Sequence, residues 1–75
     1  MEFTKVTITN METGKEIKSY TDCNVSFDNE GFWVLDSVLF IKDCRLITIS
    51  REIMQFTGYM NYRKGTKKVN VNVWN

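Results

Sequence analysis

Four of the ten cations in this 75-residue chain, Arg63, Lys64, Lys67 and Lys68, fall within six positions, and Tyr59 and Tyr62 stand just before them. Cations beside aromatic rings suit a polyanion, because ammonium and guanidinium groups meet phosphates while the rings stack on bases. The wider charge pattern sharpens this reading. Residues 1–44 carry four lysines against eight acidic residues, a net −4, and residues 45–75 carry six cations against Glu52 alone, a net +5. The overall +1 conceals a dipolar chain whose basic end fits either a polyanion or the acidic face of another protein.

Other chemistry is sparse. The chain has no histidine, which removes the commonest general base at neutral pH and the commonest metal ligand. Cys23 and Cys44 stand 21 residues apart, without the closely spaced pairs of ligands that a zinc site needs. Cys23 continues an apolar stripe and reads as a buried thiol. Cys44 has Arg45 as the one sequence neighbour able to favour a thiolate. Among the carboxylates, Asp36 between Leu35 and Ser37 is the best candidate for a raised pKa, and it reads as a turn residue instead. The four glycines are isolated, so no phosphate loop or dinucleotide fingerprint is present. The expectation is a non-enzymatic protein with no catalytic residue, no metal and no cofactor.

The elements that must position the basic cluster follow from a period of two. Residues 17–28 alternate, with Ile17, Ser19, Thr21, Cys23, Val25 and Phe27 assigned to the inner face. Such alternation marks a half-buried antiparallel strand, and its length calls for a bend or bulge near Thr21-Asp22. Residues 3–10 form the preceding strand, joined through Met11-Glu12-Thr13-Gly14, and Asp28-Asn29-Glu30-Gly31 makes the next turn. Residues 32–36 and 38–42 are apolar on both faces and read as covered strands. Lys42-Asp43-Cys44-Arg45 reads as a turn before a strand that opens with Leu46-Ile47-Thr48-Ile49. The apolar phase then shifts near Ser50–Glu52, as a bulge would make it; the competing reading is a short helix over 51–57, capped by Ser50 and stopped by Gly58.

The last hairpin is expected to pair Met60 with Val69, Gly58 with Val71 and Phe56 with Val73, since a one-residue slip would turn the valines outward. The whole is an all-β meander of five or six strands in a single small domain, forming a closed or half-open barrel of the size of SH3-like, OB-like and Sm-like barrels.

Ten aromatic residues are more than so small a core readily buries, and exposed Trp, Tyr and Arg anchor protein interfaces. The leading expectation is therefore a small binding module acting through protein–protein contacts. Self-association and a role as an inhibitor or modulator of a larger protein, of mobile-element origin, both fit it. The binding residues are expected to be Tyr59, Asn61, Tyr62, Arg63, Lys64, Lys67, Lys68 and Trp74, with Trp33 beside the Asp28–Gly31 turn. The alternative is nucleic-acid binding by the same hairpin. A third reading is capture of a small anionic ligand by Arg45, Arg51 and Arg63. The start Met1-Glu2-Phe3-Thr4-Lys5 lacks a signal-peptide pattern. No apolar run exceeds four residues, against roughly 20 for a membrane span. A cytoplasmic protein with reduced thiols and no membrane contact is expected.

Overall fold

Val69, Val71 and Val73 alternate with Lys68, Asn70, Asn72 and Trp74, and this alternation runs through a sheet that closes on itself. The computed structural model describes residues 2–35, 39–62 and 65–74. Its strands are β1 (Glu2–Asn10), β2 (Glu16–Phe27), β3 (Gly31–Val34), β4 (Leu39–Ile49), β5 (Ile53–Tyr62) and β6 (Gly65–Trp74). They form a closed antiparallel barrel in chain order, completed by β1 against β6, where Val6 lies opposite Val73 and Ile8 opposite Val71. Closure gives the first and last strands the partners that an open meander would leave them without.

The interior is filled by alternate residues of every strand. Val6, Ile8, Val25, Phe32, Val34, Ile41, Phe56 and the three valines of β6 are buried. Phe32 and Phe56 pack with ring centroids 4.9 Å apart, and Phe27 meets Phe56 edge-on at 5.3 Å. Edge-to-face and tilted contacts of this kind add to the burial of the rings themselves.

Three turns have the chemistry their residues imply. The side-chain oxygen of Asn10 accepts from the backbone N–H groups of Glu12 and Thr13. Asp28 does the same for Glu30 and Gly31, and Gly31 takes φ 151°. Ser50 caps the β4–β5 turn, its hydroxyl accepting from Glu52 and Ile53. That three-residue turn accounts for the phase shift near Ser50–Glu52, which is thus a hairpin rather than a bulge in one strand. Residues 51–57 hold no helix: β5 begins at Ile53, because its alternating residues gain a ladder on both sides.

Other local readings are corrected. The inner stripe of β2 does not run from 17 to 27. Asp22 has φ 51°, the chain bends there, and the inward phase changes: Cys23 and Val25 are buried, Ser19 and Thr21 are exposed, and Tyr20 lies opposite buried Val6. Ile17 still packs on the core because it is the extra residue at a register shift, between the pairs Ile8–Lys18 and Thr9–Glu16. Phe27 is 47% exposed. The C-terminal hairpin keeps its expected faces but slides by two residues: Met54 pairs with Val73, Phe56 with Val71 and Gly58 with Val69. A two-residue slide leaves every side chain on its face, so the apolar pattern alone did not separate the two registers. The turn expected at Asp36 lies outside the described residues.

Residues 42–45 are not a turn. β4 runs through them, and its register with β5 shifts twice, between Lys42 and Arg45 and between Leu46 and Thr48. Asp43 and Cys44 together face Gly58, with Asp43 at φ 52°; this is a β-bulge. Gly58 is where the bulge presses inward. A methyl group there would collide with Ile41 Cγ2 and stand 3.0 Å from the Lys42 carbonyl oxygen. Gly58→Ala is expected to lower unfolding stability by about 1–3 kcal/mol, the usual cost of overpacking, read as a fall in the urea midpoint; an unchanged midpoint would contradict the close approach.

Candidate functional site

The expected binding residues divide into separate groups. Tyr59 and Lys68 are cross-strand partners on the outer face, since their neighbours Gly58, Met60 and Val69 are buried. Asn61 lies opposite Thr66 and is exposed. Lys67 is exposed but pairs with Met60, so its place in the alternation is opposite to that of Lys68. The backbone of Tyr62 pairs with Gly65. Arg63 and Lys64 lie outside the described residues. Trp74 pairs with Ile53 and Lys5, at the other end of β6 from Lys68, roughly 20 Å away at about 3.3 Å per residue. It therefore does not join Tyr59 and Lys68. Trp33 is half-buried on β3 and stacks on its cross-strand partner Phe40, with ring centroids 4.2 Å apart.

The register adds two cations that the sequence did not connect with the hairpin. Lys42 is the β4 partner of Tyr59, so Lys42, Tyr59 and Lys68 form one row across β4, β5 and β6. Arg45 heads the adjoining row, followed by Thr57, Asn70 and Thr9. The bulge makes this possible. Without the extra residue at Asp43-Cys44, Arg45 would share the inward phase of Ile41; with it, Lys42 and Arg45 both face outward. Among the described residues, no ion pair or side-chain hydrogen bond engages Lys42, Arg45 or Lys68. Beyond them the wall is polar and neutral, with Gln55 donating to Asn72 Oδ1 at 2.7 Å.

The second bulge acts on the other side of β4. The first bulge has already set Leu46 opposite buried Phe56; the second skips Ile47 and sets Ile49 opposite Met54, so that both turn toward one mouth of the barrel. There, Val25, Phe27, Phe32, Leu46, Ile49 and Met54 line a groove of about 690 Å³, rimmed by Arg51 and Glu52. Leu46 is 50% and Ile49 68% exposed. Because β3 is only four residues long and pairs with β4 at Leu39–Lys42 alone, residues 45–49 of β4 pair with β5 on one side and, among the described residues, with no strand on the other. Arg45 and Arg51 thus stand on different surfaces, the wall and the mouth, and Arg63 lies outside the described residues; the structure does not bring these three together as one clamp.

The two thiols are free. Cys23 is buried, and Cys44 donates to the Ile41 carbonyl at 3.3 Å. Desolvation pushes the Cys44 thiol above its ordinary value, a backbone hydrogen bond from Phe32 offsets part of this, and the charge of Asp43 adds to the rise. The neighbouring guanidinium of Arg45 does not reverse it. Among the described residues, no three potential ligands cluster as a metal site, and no helix is long and apolar enough to cross a membrane.

No protein-family model matches this chain, and no significant match was found among curated proteins or solved structures.

A raised pKa means less thiolate at a given pH. Cys44 is therefore expected to react with iodoacetamide more slowly than free cysteine at pH 8, with the difference narrowing only as the pH rises past 9. Equal rates at pH 8 would contradict its partly buried, desolvated setting.

Proposed function

We propose that this chain is a non-enzymatic binding module that takes a protein partner at the open mouth of its barrel. The carrying observation is the β4 edge at residues 45–49, paired on one side only among the described residues and bordered by the apolar groove of Phe27, Leu46 and Ile49. An open edge offers a row of backbone donors and acceptors, and its natural complement is another strand. Main-chain hydrogen bonds would hold that strand, and the groove would receive alternate apolar side chains. Burial of the exposed parts of Phe27, Leu46 and Ile49 would contribute at roughly 25 cal/mol per Å² of apolar surface removed from water. The edge carries no proline and no inward-facing charge, two common means of discouraging a strand from adding there, and its one irregularity is the bulge at Ile47.

A random peptide library displayed on phage tests this reading. Selection on the intact protein is expected to enrich extended peptides with alternating apolar residues, and Ile49→Asp should weaken their binding at least tenfold while leaving the folded spectrum unchanged. Enrichment of no peptide, or equal binding by Ile49→Asp, would overturn the reading. Mass measured by light scattering shows whether a second copy fills the same edge; a dimer that Ile49→Asp dissociates makes the partner strand the chain's own β4.

A further inference from the structure

We infer that the outer wall formed by β3, β4 and β5, with Lys68 of β6, is a second binding site, and that its ligand is a single-stranded nucleic acid. This is a different surface from the mouth, and its binding is tested separately from it.

The argument begins with spacing. Adjacent strands lie about 4.8 Å apart, so the backbones of Lys42 and Lys68 are about 10 Å apart with Tyr59 between them. Arg45 stands one row further along, and on the opposite side the next outward β4 residue is Phe40, stacked on Trp33. The wall thus offers three cations around three aromatic rings. The cations are free of ion pairs among the described residues. Four acidic residues border the patch: Asp43 in the bulge, Asp28 and Glu30 of the β2–β3 turn that lines a small pocket with it, and Glu16 opposite Thr9 at the far end of the Arg45 row. No acidic residue interrupts the Lys42–Tyr59–Lys68 row.

This combination selects one ligand class. A phosphate backbone meets the three cations, and unstacked bases meet the rings, since every base has a face that an aromatic side chain can cover. Double-stranded DNA fits poorly, because its bases are stacked inside the duplex and, among the described residues, the wall has no projecting element to enter a groove. A polyanion without bases would leave Tyr59 unused.

The test is fluorescence anisotropy of labelled 12-mers of dT and of U, a 12-bp duplex and polyphosphate, each titrated with the intact protein. Both single strands are expected to bind, and the two arms show whether DNA or RNA is preferred. Neutralising about three phosphates gives a slope near −2 in a plot of log affinity against log salt, or roughly a twentyfold loss from 50 to 200 mM. Lys42→Ala should make that slope shallower by about 0.7. Tyr59→Ala should weaken binding about tenfold through lost stacking, while Tyr59→Phe retains it. Lys15→Ala with Lys18→Ala removes two charges from β2 and the turn before it, and should change affinity little. Circular dichroism checks that each variant is folded. Binding of no single strand at 20 mM salt would overturn the inference. So would equal or tighter binding of the duplex or polyphosphate, or a loss in the Lys15/Lys18 variant as large as in Lys42→Ala.

Discussion

The two bulges in β4 are the constraint on which the rest of the structure depends. A regular strand of eleven residues would alternate strictly from Leu39 to Ile49, and Arg45, Ile47 and Ile49 would all share the phase of Ile41. Two extra residues break that rule. The first, at Asp43-Cys44, sends Lys42 and Arg45 to the same outer face. The same bulge turns Leu46 toward the barrel mouth, and the second, at Ile47, returns Ile49 to that side. One strand therefore supplies cations to the wall and apolar side chains to the groove. Gly58 makes the first bulge possible, since β5 can offer room there only where it has no side chain.

A second constraint is the shortness of β3. Four residues suffice to join β2 to β4 and complete the ring, but they leave the far half of β4 without a neighbouring strand on that side among the described residues. Closure and openness thus coexist in one sheet. The valines of β6 and the Phe32–Phe56 pair hold the sealed part, and the mouth is what the sealed part cannot cover. Such partial closure suits a small domain, whose core is too limited to bury every large apolar side chain.

The all-β class, the barrel and the faces of the last hairpin were legible in the sequence because a period of two leaves an unmistakable record in Val69, Val71 and Val73. The bend near Asp22 and the phase change near Ser50–Glu52 were also legible; what escaped were the side chains that the Asp22 bend redirects and the bulges of β4. Positive φ at Asp22 and Asp43 is adopted by residues that tolerate it in turns, so Lys42–Arg45 resembled a turn, and the inner stripe of β2 was extended through Thr21. The hairpin slide escaped for a different reason: registers two residues apart bury the same residues. Of the candidate site, Tyr59, Lys68 and Trp33 were singled out in the sequence as binding candidates; Lys68 is exposed and Tyr59 and Trp33 are half-buried. Lys42 and Arg45 were not joined to them, because only the β4–β5 register makes them neighbours. The chain's division into acidic and basic halves also hid Lys42, which the sequence sets among acids and the register sets beside Tyr59.

The most direct measurement is the set of cross-strand Hα–Hα contacts between β4 and β5 by NMR in solution. If the bulges sort the side chains as described, contacts or ladder pairings will align Lys42 with Tyr59, Arg45 with Thr57, and Leu46 with Phe56. An uninterrupted register, with Arg45 opposite Phe56 and Leu46 opposite Gln55, would return Arg45 to the interior phase and contradict both surfaces at once.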